Sequence, residues 1–337
     1  MTASRVLVAV PDLDAAIEHY RGLDWRIDRI SPADDPIEVD MSRGDGLLRL
    51  RRDAQAAGWR GHVHPDPRSS DLPTVTENDD TVIVPELVDE LSISLRSEAT
   101  GFGAGRAGMG YRDLIPGRLG GRFIASHIRI DEAGPVPDYA HYHHIRFQMI
   151  FCRSGWVRVV YEDQGEPFVL ESGDCVLQPP GIRHRVLESS AGLEVVEIGC
   201  PAEHDTFADH DIALPTGRFA PDRDFGGQRF VRHVASDAQW EPWNSTAVPC
   251  RDLGIGTATA GLAGARVART DRPETVDLRH DGEFRFLFVL EGGISLRVAG
   301  EDACDLGRDD SVAVPARTDA TAELRAGTEV LEVTLPG

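Results

Sequence analysis

Residues 141–155, HYHHIRFQMIFCRSG, place three histidines within four positions and then continue as a strand-like segment. Side chains two positions apart on an extended strand point to the same face, so His141 and His143 share one face. His144 breaks this alternation and is expected to point away from that face. Because two imidazoles on one face can bind one metal ion, the stretch predicts a metal site at the start of a β-strand.

A third histidine follows in GDCVLQPPGIRH, residues 173–184. The Pro-Pro-Gly sequence at 179–181 favours a tight turn that directs His184 back toward the preceding strands. Three imidazoles, with an oxygen donor from Gln148, could surround one cation and leave one or two coordination positions open. Open positions predict chemistry or ligand capture rather than a purely structural ion.

Together the two segments resemble the motifs of the cupin superfamily. The first motif, G-x5-H-x-H-x3-4-E-x6-G, is matched at His141, His143, Gln148 and Gly155, and the second, G-x5-P-x-G-x2-H-x3-N, is matched at Gly173, Pro179, Gly181 and His184. Gln148 stands where the family usually has Glu, and Glu188 stands where it usually has Asn. The resemblance implies a jelly-roll (double-stranded β-helix) barrel with one divalent metal on His141, His143, Gln148 and His184.

Gln148 changes the expected charge of this metal site. Three neutral imidazoles and a neutral amide would leave the full 2+ charge on the ion. Such an ion favours anionic, chelating molecules such as enolates, catecholates and 2-oxo acids, because it stabilises negative charge on oxygen. Alternatively Gln148 does not ligate, and a three-histidine site remains; the sequence does not separate the two.

Strand alternation indicates which other polar side chains near the motifs share a face with the predicted ligands. Gln178 shares a strand face with Val176 on the way to His184, so it could donate to a bound substrate oxygen and is the candidate catalytic residue. An amide in the core or at the rim of the barrel is the alternative interpretation. His204 and His210, in AEHDTFADHD, are flanked by acids, and we expect both in a solvated loop.

The C-terminal part repeats the barrel pattern without its histidines. When Gly155 is aligned with Gly292, HHIRFQMIFCRSG falls on HDGEFRFLFVLEG without a gap. The positions of His141, His143 and Gln148 are then taken by Leu278, His280 and Arg285, and aligning Pro179 with Pro315 places Ala320 at the position of His184. One imidazole beside an arginine cannot hold a divalent metal, so the second barrel is predicted to be degenerate and to serve packing, dimerisation or closure of the first.

The N-terminal segment has a different pattern of predicted secondary structure. RVLVAV predicts a strand, LDAAIEHYRGL an amphipathic helix, and WRIDRI, IEVDM and LLRLRR three further strands. This βαβββ order resembles half of a vicinal oxygen chelate (glyoxalase-like) domain, without a histidine or glutamate for metal in RVLVAV or LLRL. The tandem His62-x-His64 that follows has metal-like spacing but no partner ligand nearby.

We therefore expect a mainly β chain, with two cupin barrels preceded by a small α+β module. The predicted divisions are the βαβββ module at 1–53, a linker at 54–80, the metal-binding barrel at 81–200, a connector at 201–234 and the degenerate barrel at 235–337.

Composition limits the partners and the compartment. With 35 Lys and Arg against 56 Asp and Glu, the net charge of -21 disfavours nucleic acid and anionic membranes. The apolar run near the N-terminus is too short for a signal peptide or a membrane span. Five widely spaced cysteines predict reduced thiols in a cytoplasmic protein. The cupin resemblance implies a homodimer that acts on a small molecule.

The predicted function is that of a metal-dependent enzyme acting on a small, oxygen-rich, anionic or chelating molecule. The first choice is an Fe(II) dioxygenase of an enol or catechol-like substrate, with one metal per chain and Mn, Ni, Zn or Cu as alternatives to iron. A non-redox isomerase, lyase or decarboxylase is the second choice. A non-catalytic protein that captures a carboxylated sugar or metabolite through its metal is the competing class.

Overall fold

A computed structural model describes residues 4–56, 74–76, 82–99, 101–104, 109–243 and 246–336. The described chain is mainly β, and its strands form two jelly-roll barrels behind an N-terminal α+β module, as predicted. His62 and His64, with most of the predicted linker, lie outside the described residues.

The N-terminal module has the predicted strand-helix-three-strand order. Its elements are β1 (Ser4–Val10), α1 (Leu13–Arg21), β2 (Arg26–Ser31), β3 (Glu38–Arg43) and β4 (Gly46–Arg52), followed by β5 (Thr74–Thr76). The helix begins where the side chain of Asp12 accepts a hydrogen bond from the backbone N–H of Ala15. The strands are ordered β2-β3-β4-β1-β5, and α1 packs its apolar side against them.

The first barrel consists of two facing sheets. After β6 (Ser92–Ser94), its elements are β7 (Gly103–Ala104), β8 (Gly110–Asp113), the helical turn α2 (Arg118–Gly121), β9 (Ile124–Ile130), β10 (Gly134–Pro135), β11 (His141–His144), β12 (Phe147–Ser154), β13 (Trp156–Tyr161), β14 (Phe168–Glu171), β15 (Cys175–Leu177), β16 (His184–Ser189), β17 (Leu193–Cys200), β18 (Asp205–Ala208) and β19 (Val231–His233). One sheet contains β14-β13-β16-β11-β18, and the other contains β19-β15-β12-β17-β9-β8-β7.

The second barrel repeats this arrangement. Its elements are a 3-10 turn (Ala235–Asp237), β20 (Glu241–Pro242), β21 (Pro249–Asp252), α3 (Ile255–Ala258), β22 (Gly264–Thr270), β23 (Glu274–Asp277), β24 (Phe284–Glu291), β25 (Gly293–Val298), β26 (Cys304–Gly307), β27 (Ser311–Ala313), β28 (Ala320–Leu324) and β29 (Thr328–Leu335). One sheet is ordered β20-β21-β22-β29-β24-β27-β6, and the facing sheet is ordered β23-β28-β25-β26.

The two barrels exchange edge strands. β6, which precedes the first barrel in the chain, pairs with β27 of the second. β19, which lies in the predicted connector, pairs with β15 of the first. The facing apolar surfaces form one core across the junction, where the rings of Phe123 and Phe284 stack at 4.1 Å between centroids. Both exchanges bury backbone groups that would otherwise lie at open sheet edges.

The N-terminal module is joined edge to edge to the first barrel. β2 pairs with β18, so the module's sheet continues directly into the sheet that contains β11. Arg29 strengthens the junction, with ion pairs of 2.6 Å to Asp205 in β18 and 2.9 Å to the buried Asp40. The loop after β2 is thereby held at the mouth of the barrel.

All five cysteines are free thiols. Among the described residues no helix combines the length and the apolar character that a membrane crossing requires.

Candidate metal centre

The three predicted histidine ligands meet inside the first barrel. His141 and His143 lie on β11, and His184 lies on the adjacent antiparallel strand β16, directly opposite His141. A ring nitrogen from each lies within 4.8 Å of a ring nitrogen from the other two. Their exposures are only 1%, 7% and 5%, so these three residues, called the histidine triad below, are shielded from bulk water.

Hydrogen bonds orient the triad. Nδ1 of His141 and Nδ1 of His184 each lie close to the backbone carbonyl oxygen two residues earlier, at 2.8 and 3.0 Å. Because a carbonyl oxygen only accepts, these Nδ1 atoms carry the ring proton and Nε2 is the basic nitrogen. Nδ1 of His143 lies 2.9 Å from the Thr206 hydroxyl. Neutral, oriented imidazoles of this kind fit a divalent transition metal.

A chain of side-chain hydrogen bonds runs beside the triad. The Tyr161 hydroxyl donates to Oε1 of Gln178 at 2.6 Å, and Nε2 of Gln178 donates to Oε1 of Gln148 at 3.0 Å. Nε2 of Gln148 then donates to Oε1 of Glu197 at 2.5 Å. Burial raises the pKa of Tyr161, which keeps its hydroxyl protonated. Since the carboxylate of Glu197 only accepts, it sets the direction of the whole chain.

The triad opens into a mostly apolar cavity of about 120 Å³. Its walls are side chains from both sheets, among them Met109, Ile128, Val159, Leu170, Val186 and Val195. The N-terminal module contributes Ala33 and Asp34 at the mouth, where Asp34 pairs with Arg118. Among the residues that line the cavity in the described chain there is no lysine or arginine. A bound metal would therefore supply the strong positive charge in this space.

No protein-family model matches the sequence, and no curated protein does. Solved structures with the same fold include a salicylate 1,2-dioxygenase from Pseudaminobacter salicylatoxidans, 15% identical, covering 75% of this chain and 86% of that chain with a TM-score of 0.54. Oxalate decarboxylase from Bacillus subtilis matches with 13% identity, 76% and 78% coverage and a TM-score of 0.51. The protein Ylba from E. coli matches with 12% identity, 75% and 93% coverage and a TM-score of 0.50. The chain folds as a bicupin. At these identities the likeness establishes the fold alone.

Gln148 and Gln178 both line the cavity of the first barrel. Oε1 of Gln148 accepts from Gln178, which leaves one lone pair for a metal, and ligation by Gln148 stays a prediction. Nε2 of Gln178 donates to Gln148 and lies 3.4 Å from Nε2 of His184. Donation from Gln178 to a substrate likewise stays a prediction.

Glu197 was missed by sequence reasoning. It lies on β17 opposite Ile150 of β12, and it brings a carboxylate into the cavity beside the predicted neutral ligands. A signal was present, because Leu193, Val195 and Glu197 alternate along one strand face and all three line the cavity. An acid that continues an apolar face of a barrel strand is a candidate site residue.

The prediction that His204 and His210 both lie in a solvated loop is wrong for His204. His210 is exposed, with Nε2 2.6 Å from the backbone oxygen of Ile27. His204 is only 8% exposed and lines the cavity. The reason is that β18, which follows His204 directly, pairs with the triad strand β11, so the start of the connector belongs to the barrel wall.

The second barrel of the bicupin has an ion pair at the position of the amide chain. Arg285 matches Gln148, and Nε of Arg285 donates to Oε1 of Glu332 at 2.8 Å. Glu332 lies opposite Leu287 just as Glu197 lies opposite Ile150, so the two acids are structural counterparts. Within the described residues, the triad is the group of histidine, cysteine or acidic side chains close enough to bind a metal.

Proposed function

We propose that this bicupin is a metal-dependent enzyme, in which the histidine triad binds one divalent metal ion and a small chelating molecule reacts in the first barrel. The observation that carries the proposal is the convergence of the three triad nitrogens in a buried, largely apolar cavity. When bound, the metal supplies positive charge that stabilises an oxyanion and, if it is Fe(II), redox chemistry with dioxygen.

The cavity walls support a substrate with an apolar body and one chelating end. The triad, oriented by its backbone carbonyl partners, would hold the metal to which that end binds. The aliphatic side chains would exclude water from the bound end. A single metal can neutralise one chelating group, but among the described residues no lysine or arginine lines the cavity to pair with a second anionic group. Monoanionic catecholates and enolates therefore fit this cavity better than molecules with a second anionic group or carboxylated sugars, and oxygenase chemistry on them is the preferred reaction.

Non-redox chemistry is the second candidate, and Glu197 favours it. A carboxylate inside the cavity could hold or transfer a proton during an isomerisation, lyase or decarboxylase reaction. One of the structural neighbours, Bacillus subtilis oxalate decarboxylase, has Mn(II) centres. We further propose that the protein is a cytoplasmic homodimer, which light scattering of the purified protein would test for the oligomeric state.

Oxygen uptake tests the proposed reaction. Apoprotein is reconstituted separately with Fe(II), Mn(II) or Zn(II) and is offered catechols and enolisable diketones in air. Uptake with the Fe(II) form, lost in a His184→Ala variant, is expected. Turnover without oxygen uptake would favour the non-redox candidate. Ligand binding without turnover of any compound would indicate a metabolite-binding protein.

A further inference from the structure

His204 lies beside the histidine triad without belonging to it. Its ring centroid is 5.3 Å from that of His143, and the two rings meet edge to face at 72°. The triad nitrogens lie within 4.8 Å of one another, and His204 is outside that group. Only 8% of its surface is exposed, and it lines the same cavity. A position next to the metal ligands but outside their set is suited to contact a substrate.

The tautomer of His204 follows from its backbone contact. Nδ1 lies 3.2 Å from the carbonyl oxygen of Pro201, which can only accept, so Nδ1 carries the proton of the neutral ring. Nε2 then presents a lone pair. This buried Nε2 has no hydrogen-bond partner in the described chain. Buried acceptors without a partner are rare in folded proteins, and one that lines a cavity is a candidate ligand contact.

The surroundings of Nε2 limit what could donate to it. Asp34, at the mouth of the cavity, is an acceptor that already pairs with Arg118. No lysine or arginine among the described lining residues reaches into the cavity. The missing donor is therefore best supplied by a bound molecule that carries an O–H or N–H group.

We propose that His204 is a substrate-binding residue whose Nε2 accepts a hydrogen bond from a hydroxyl of the substrate. The inference rests on the proposed function and narrows it. The substrate class is an apolar-bodied chelator that keeps one protonated hydroxyl beside its metal-binding oxygen, such as a catechol bound as its monoanion. The connector thus contributes a specificity determinant to the first barrel.

The test compares catechol with its monomethyl ether, which lacks the second hydroxyl proton. Binding of each is measured by calorimetry on Zn(II)-loaded protein, since zinc excludes redox turnover. The wild type is expected to prefer catechol, and His204→Phe, which keeps a ring but has no acceptor, should reduce that preference by about tenfold. His204→Gln, whose amide oxygen can accept, should restore part of it, and His210→Phe is the matched control on the exposed connector histidine.

Three results would overturn the inference. An unchanged preference in His204→Phe would show that His204 is structural only. Loss of zinc from His204→Phe and His204→Gln, with the fold intact by circular dichroism, would make His204 a metal ligand instead. Failure of the wild type to bind zinc, or to bind catechol when loaded with zinc, would overturn the proposed function itself, which distinguishes that failure from an error in the role of His204.

Discussion

Gln148 donates its amide to Glu197 across two neighbouring strands at 2.5 Å, whereas the corresponding residues of the second barrel, Arg285 and Glu332, form an ion pair. The same pair of positions therefore forms a polar part of the cavity wall in the first barrel and a buried ion pair in the second. The guanidinium of Arg285 offers no lone pair to a metal ion, because arginine cannot lose its proton. This difference supports the first barrel as the proposed metal site.

Removing any member of the triad should abolish metal binding. His141→Ala, His143→Ala and His184→Ala each lose one of three oriented imidazoles, and we expect metal affinity to fall by orders of magnitude. Gln148→Ala should cost far less, because its oxygen already accepts from Gln178. Calorimetric zinc titrations of the four variants would measure this. Equal losses in all four would show that Gln148 is a full ligand.

Purified protein should hold one metal ion per chain. His280→Ala should keep that ion, since Nε2 of His280 is used by the backbone oxygen of Val314 at 2.8 Å. The variant should lose about 1 kcal/mol of unfolding free energy, the usual contribution of one hydrogen bond. Elemental analysis of wild type, His280→Ala and His184→Ala would provide the counts. Two ions per wild-type chain would contradict the degenerate assignment.

Substrate charge should matter more than substrate size. Because no lysine or arginine lines the described cavity, a second anionic group has no partner there. We expect Zn(II)-loaded protein to bind catechol at least tenfold more tightly than oxalate, which corresponds to about 1.4 kcal/mol. Competition measured by calorimetry would test this. Tighter binding of oxalate would indicate a cationic group that reaches the site.

Gln148→Glu should destabilise the apoprotein at high pH. The new carboxylate would face Glu197 at the present hydrogen-bond distance, and two like charges this close cannot both ionise without a large penalty. One carboxyl would therefore have a raised pKa in the folded state. The free energy of unfolding of the variant should therefore fall below that of the wild type, and the difference should grow as pH rises through that raised pKa. Urea unfolding of both apoproteins at pH 5 and pH 8 would show it; a deficit equal at both values would contradict it.

Asp40→Asn should weaken the N-terminal module. Burial by itself would raise the pKa of Asp40, but hydrogen bonds and charges from Arg49 and Arg29 lower it overall. The carboxylate therefore stabilises the fold above its unfolded-state pKa, and this contribution is lost as pH falls through the lowered folded value. At neutral pH the variant should lose about 3–5 kcal/mol, since three arginines, Arg5, Arg29 and Arg49, lose a buried partner.

Asp35→Asn is the matched control for Asp40→Asn. Asp35 pairs with Arg52 at 2.8 Å on the surface of the same module, and such exposed pairs contribute about 0–1 kcal/mol. Chemical unfolding of both variants between pH 3 and pH 7 would compare them. A large loss for both, or a difference for Asp40→Asn that does not shrink toward acid pH, would contradict the buried-charge explanation.

Local pattern, together with the resemblance to the two cupin motifs, predicted the triad and both barrels. Strand alternation places His141 and His143 on one face, and the Pro-Pro-Gly turn returns His184 to it, because both effects act over a few residues. The same applies to the N-terminal module, whose strand and helix periods predict the observed order of elements. The prediction of a degenerate second barrel followed from aligning the two halves at Gly155 with Gly292 and at Pro179 with Pro315.

The positions of Glu197 and His204 depended on tertiary structure. Glu197 reaches the cavity because β17 pairs with β12, and His204 does so because β18 pairs with β11 on one side and with β2 on the other. These pairings join segments that are far apart in sequence, and the free energy that selects them comes from buried contacts that no local period encodes. The sequence by itself therefore determined which residues could bind a metal, and only the packing of distant strands decided which side chains surround it.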